Sequence, residues 1–257
     1  MSCERSLISF YTLLRRELVR ILKMWPETLL PSVITMSLYF MIFGSIMGSR
    51  IGDMNGVPYI QYIVPGLVMM AIINSAYINV AFSFYLSRFQ RNIEEILTAP
   101  MSNSIILAGY VGGGMIRGLL VGVLVLIVSL LFTNLNIYSW SFTLVISILT
   151  AGLLALGGLV NGIFAKNFDG LSIVPMFVLT PLTYLGGVFY SVDLLPPMWR
   201  TLTYFNPIFY MVSGFRYAMS GVSDINIQSA IAVLLVLVCA LYAICIWLLH
   251  KGVGIKT

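Results

Sequence analysis

Residues 181–216 read PLTYLGGVFYSVDLLPPMWRTLTYFNPIFYMVSGFR, and whether this stretch crosses a membrane decides how many crossings the chain makes. It is dense in aromatic side chains, among them Tyr184, Phe189, Tyr190, Trp199, Tyr204 and Tyr210. Such rings favour the boundary between lipid and water. It also holds Pro196, Pro197 and Pro207, which remove backbone donors and interrupt any helix long enough to span. Irregular chain at membrane depth must be buried in protein or line a cavity. Together these constraints predict that residues 191–224 form an outer re-entrant segment of short helices, not a seventh span.

Outward from this stretch, the chain is a series of long apolar runs. Of its 257 residues, 60% are hydrophobic and only 9% are charged, whereas soluble domains carry about 25% charged residues. So little charge cannot cover a water-exposed surface, and lipid is the solvent that fits. At roughly 20 residues per crossing, the runs predict six transmembrane helices, over residues 29–47, 59–85, 105–132, 142–164, 171–190 and 225–249. The expected fold is therefore an all-α polytopic membrane protein with one membrane domain over 1–257. The glycine-rich segment 48–58 reads as a loop, Pro65–Gly66 as a kink, and 134–138 and 165–170 as tight turns.

Residues 5–23 alternate two faces at helical spacing. Leu7, Tyr11, Leu14, Leu18, Ile21 and Trp25 recur on one, and Arg5, Ser9, Thr12, Arg16, Arg20 and Lys23 on another. That pattern suits an interfacial amphipathic helix with its basic face toward anionic lipid. The basic residues are spread along it and do not precede an apolar core, so no cleavable signal peptide is evident and the first span is expected to act as an uncleaved signal. With the N-terminus in the cytoplasm, the inner segments carry ten of the fourteen Lys and Arg residues and the outer segments only Arg50, Arg200 and Arg216. The positive-inside rule selects that orientation, with both termini cytoplasmic.

Several kinds of chemistry find no support. The nearest glycine cluster to a phosphate loop, Gly112–Gly114 with Arg117 and Gly118, lacks the lysine and hydroxyl such a loop needs and lies in an apolar run. ATP binding by this chain is not expected. The net charge of +5 forms no extended basic face, which argues against nucleic acid. Cys3, Cys239 and Cys245 make no paired motif, and the single histidine, His250, lacks partners, so no metal site is indicated. Glu94 and Glu95 are adjacent and point to different faces of a helix, which gives no catalytic pair.

Other features invite function without fixing it. Gly114, Gly118 and Gly122 recur at the four-residue spacing that lets helices approach closely in lipid, as do Gly44/Gly48 and Gly158/Gly162. Packing within one subunit and a dimer contact both fit. Arg117 sits inside a span at an insertion cost of about 2.5–3.5 kcal/mol, and it could line a transport path or reach back to the headgroups. The polar loop 86–104 contains RNIEEILT, residues 91–98, a short helix candidate with Ile93, Ile96 and Leu97 on one side and Pro100 as its stop. It reads either as an ordinary solvated loop or as an element on which a soluble partner could push.

The run 181–216, with Gly186–Gly187, Phe189, Pro196–Pro197, Asn206–Pro207 and Arg216, resembles the signature of the type-2 ABC transporter permease family. FQRNIEEILTAPMSNSIILAGY and IVPGLVMM are similar to the same family, so the resemblance covers essentially the whole chain. It implies six spans, an N-terminal interfacial helix, re-entrant helices before the last span, and a cytoplasmic coupling helix in which Arg91, Asn92, Glu94, Glu95 and Leu97 meet a separate ATPase. It also implies a bacterial inner-membrane exporter permease, two copies pairing as a homodimer with two ATPase subunits that bind the ATP and Mg. Gly114, Arg117 and Gly118 are candidates for the substrate path or dimer contact. The competing readings are an ATP-independent secondary transporter or channel, which calls for acidic residues at the midplane, and a membrane-anchoring subunit. Asp169 and Asp224 lie only at span edges.

Overall fold

A computed structural model describes residues 3–54, 56–93, 101–222 and 224–253. Six helices are long and apolar enough to cross a membrane: span 1 (Trp25–Gly44), span 2 (Tyr59–Phe89), span 3 (Asn103–Ser129), span 4 (Trp140–Phe164), span 5 (Phe168–Leu185) and span 6 (Ile227–Lys251). An N-terminal helix, Cys3–Lys23, precedes them. A two-stranded hairpin, Asp53–Met54 with Val57–Pro58, joins spans 1 and 2. Two shorter helices, Pro197–Tyr204 and Pro207–Ser220, occupy the proline-broken stretch between spans 5 and 6.

Span 2 is the mast of the bundle. Its most apolar window is 89% buried, against 11% for span 1 and 17% each for spans 5 and 6. Glycines let the neighbours come close enough to bury it. On one side, a Cβ added at Gly118 of span 3 would lie 2.9 Å from Ala76, and one at Gly122 would lie 2.7 Å from Ile72. Gly114 meets Val80 in the same row. On the other side, Gly158 of span 4 faces the Tyr77 carbonyl, and a Cβ at Gly162 would lie 2.9 Å from the Ala81 carbonyl oxygen. The glycine rows of spans 3 and 4 are thus used for packing within the chain. Gly66, beside Pro65, serves the same end, because the Val188 backbone sits where its Cβ would be.

Spans 1 and 5 are the irregular ones. Span 1 passes from α-helix into a π-helical stretch over Phe40–Met47, and span 5 contains one over Pro175–Leu179. In span 5 the cause is visible: Pro175 cannot donate to the carbonyl four residues back, Leu171. That carbonyl instead accepts a 3.1 Å hydrogen bond from Asn161 Nδ2 of span 4. An apolar environment leaves few other ways to satisfy it.

Overpacking a filled contact costs about 1–3 kcal/mol. Gly158→Ala should therefore lower the thermal unfolding midpoint of the purified protein in detergent. Gly152→Ala, whose Cβ would meet only the Met115 side chain at 3.8 Å, should leave it unchanged.

Candidate functional site

The motif residues of 181–216 converge around Arg216. Its side chain is 1% exposed. Nη2 donates to the Gly187 carbonyl at 2.5 Å, Nε to the Tyr62 carbonyl at 3.4 Å, and Nη1 reaches Asp224 Oδ2 at 3.4 Å. The guanidinium also stands 4.0 Å over the Tyr62 ring. Asp224 is held in turn by Ser191 Oγ at 3.2 Å. One arginine thus ties the start of span 2, the turn after span 5, and the entry to span 6. Gly187 has φ +74°, a conformation that glycine adopts without strain.

The remaining motif residues shape the two short helices. Pro196 and Pro197 start the first, and Asn206 caps the second by accepting from the Ile208 amide at 3.0 Å, with Pro207 at its first position. Asn206 Nδ2 donates back to the Leu182 carbonyl at 2.6 Å. Gly186 lies against Ile208, where a Cβ would be 3.0 Å away. Phe189 stacks among Tyr39, Phe43 and Tyr184, with its ring 4.8 Å from Phe43. That cluster bridges span 1 to the far end of span 5.

At the opposite end, the N-terminal helix packs along span 3. Leu13 lies against Gly109, Leu14 against Gly112, and Glu17 against Gly113. Glu17, 1% exposed, is the centre of a polar network. Ser83 donates to it at 2.7 Å, Arg20 pairs with it at 2.7 Å, and Arg16 stands 3.5 Å away. Arg16 also donates to Tyr110 at 2.8 Å and Ser87 at 3.3 Å, and Arg20 to Asn79 Oδ1 at 2.9 Å. Burial draws the Arg20 guanidinium below its ordinary pKa, and the Glu17 carboxylate opposes that pull. The residues expected to face anionic lipid, Arg16 and Arg20, therefore turn back onto the bundle, while Leu7, Tyr11, Leu22 and Trp25 are exposed.

Arg117 donates to the Thr28 carbonyl at 3.0 Å and to Asn79 Oδ1 at 3.4 Å. Phe40 meets Phe132 at 5.7 Å further along. Spans 1 and 3 therefore run parallel in near-constant register, and Arg117 is level with the first turn of span 1.

Of the coupling residues, Arg91 and Asn92 are described; Glu94, Glu95 and Leu97 lie outside the described residues. Arg91 is not helical as the sequence pattern suggests. It has φ +61°, the one non-glycine residue with positive φ among those described, and it breaks the helix just after span 2. Arg88, one turn before, donates to the Ile163 and Ala165 carbonyls and so caps span 4. Ile93, 1% exposed, belongs to a lower core shared with Phe84, Tyr110, Leu159 and Leu248.

Sequence reasoning missed Glu17 and the stripe it contacts. Ser75, Asn79, Ser83 and Ser87 are all buried and recur every four residues along span 2. That period in an otherwise apolar run was the available signal.

Removing one partner of a buried ion pair costs about 3–5 kcal/mol, because the other charge is left unpaired. Arg216→Met should destabilise the protein by that order, and adding Asp224→Asn should restore part of the loss. Thermal unfolding of the single and double variants measures both.

Most of the chain is similar to known membrane proteins. The Inner membrane transport permease YadH of Escherichia coli (strain K12) is 54% identical over 242 residues, 94% of either chain. Nodulation protein J of Neorhizobium galegae is 25% identical over 225 residues, 86% of either chain. The family pattern described as ABC-2 type transporter matches residues 8–220, from the N-terminal helix to the end of the helix that carries Arg216. With that pattern covering the N-terminal helix, spans 1 to 5 and both short helices, the chain belongs to the ABC-2 type transporter family.

Proposed function

We propose that this chain is the membrane-spanning permease subunit of an ABC exporter, working as a homodimer with two copies of a separate ATPase. ATP and Mg bind on the ATPase, and hydrolysis occurs there. The observation that carries this reading is how the segment after span 2 is rooted. Ile93 is fixed in the lower core, and Arg88 fastens the same end of span 2 to the end of span 4. A force applied to residues 94–100 by a soluble partner then reaches spans 2, 3 and 4 together. Arg91, in its left-handed conformation, is the joint between that segment and the mast.

The homodimer reading draws support from spans 1 and 5. They are poorly buried, they present Ile34, Leu38, Met41, Ile173, Met176 and Phe177 outward, and each contains a π-helical stretch. Such stretches concentrate at functional sites. A second copy meeting these faces would place the substrate path between the two chains. Export is the direction of the exporters that the sequence resembles. The cytoplasmic placement of both termini rests on the distribution of Lys and Arg. A secondary transporter is less well supported: among the described residues, the buried carboxylates are Glu17 and Asp224, both engaged by arginines.

Purification from native membranes should recover a P-loop ATPase with this chain. Glu94→Ala and Leu97→Ala should then lower transport-coupled ATP hydrolysis while membrane insertion stays intact. Recovery with no P-loop protein, or normal coupled hydrolysis in both variants, would sink this reading.

A further inference from the structure

The network around Glu17 holds more positive charge than its own carboxylate balances. Arg16 and Arg20 both address Glu17, and Arg20 and Arg117 both donate to the single oxygen Asn79 Oδ1. Among the described residues, Glu17 is the only acidic group that any of the three arginines pairs with. Three cations therefore share one anion in a partly buried place, where unpaired charge is costly.

Donors are in excess as well. Asn79 Nδ2 and Arg117 Nε are buried without a hydrogen-bond partner, and Glu17 Oε2 is met only by the Arg20 ion pair at 2.7 Å. Asn79 is only 2% exposed. Arg16 and Arg20 make all their bonds to the protein through Nη2. Their Nε and Nη1 atoms have no protein partner among the described residues, and an oxyanion in reach of either would gain a charge-assisted hydrogen bond. The arrangement lacks an acceptor with negative charge.

Space for one exists beside it. The cleft measures ≈ 240 Å³ and is lined by Arg16, Arg20, Ser83, Ser87, Gln90 and Asn92, with Glu17 also at its wall. Arg117 donates to Asn79, one turn along span 2 from Ser83 in the cleft's wall, and is level with the first turn of span 1. There the chain passes from the N-terminal helix into the first crossing, and Leu22 and Trp25 are exposed alongside to meet acyl chains. Headgroup phosphates lie where a chain enters its first crossing, and each Lys or Arg near an anionic leaflet strengthens the attraction.

We propose that this cleft is a specific site for the phosphate headgroup of an anionic phospholipid. The lipid phosphate is held by the unpartnered Nε and Nη1 donors of Arg16 and Arg20, with Ser87, Gln90 and Asn92 lining the cleft and Glu17 as its internal competitor. The site belongs to this chain alone and does not depend on an ATPase or on a second copy.

Native mass spectrometry of the purified full-length protein, loaded from mixed micelles of phosphatidylglycerol and phosphatidylcholine, tests it. Phosphatidylglycerol should be retained in preference. Arg16→Gln and Arg20→Gln should each lower its retention about fivefold, whereas Arg15→Gln, exposed and outside the cleft, should not. Because the first two variants could also loosen the N-terminal helix, Glu17→Gln provides the opposite sign: losing the competing carboxylate should raise retention. Equal loss in Arg15→Gln, equal retention of both lipids, or reduced retention in Glu17→Gln would overturn the proposal. So would displacement of the lipid by millimolar inorganic phosphate, which would make a soluble anion the ligand.

Discussion

The bundle depends on the approach of spans 3 and 4 to the backbone of span 2. In lipid, helix association gains little from hydrophobicity, since the solvent is as apolar as the side chains, and close packing supplies much of the attraction. Here the approach is close enough that the Tyr77 and Ala81 carbonyls lie against Gly158 and Gly162. With span 2 enclosed in this way, its polar side chains can be placed where lipid does not reach them. Ser75, Asn79, Ser83 and Ser87 are buried for that reason, and the N-terminal helix finds partners on them.

The two ends of the mast then use buried charge differently. At one end Arg216 is surrounded by carbonyls, a ring and Asp224, and it closes a knot of backbone from three parts of the chain. Its contribution is to fix shape. At the other end the arginines are only partly buried, and one carboxylate is shared among several donors. A fully matched site resists change, while an unevenly matched one is open to an outside ligand.

Composition made the membrane class and the six crossings legible, because apolar length is a direct consequence of bilayer thickness. The prolines and aromatics of 181–216 told equally well against a seventh span. Arg216 could be singled out only by resemblance, since its partners Tyr62, Gly187 and Asp224 are brought together by folds of the chain that spacing does not reveal. Glu17 was hidden for another reason. A helical wheel shows which residues share a face, but not which face the bundle takes, and here Leu13, Glu17 and Ile21 face inward although one of them is charged. The glycine rows were visible, yet only the structure distinguishes packing on span 2 from contact with another chain.

The seating of the N-terminal helix on span 3 has a mechanical meaning. Leu13 and Glu17 rest on Gly109 and Gly113, so both helices advance by four residues from one contact to the next. Four residues are slightly more than a turn, about 6 Å of rise. Small displacements along the groove would carry these side chains off their glycines and against bulkier neighbours such as Tyr110. The next position on that face after Gly113 is Arg117, which offers no comparable notch. The helix is therefore indexed as a key is by its wards: it fits at one setting, and movement of span 3 must carry it along.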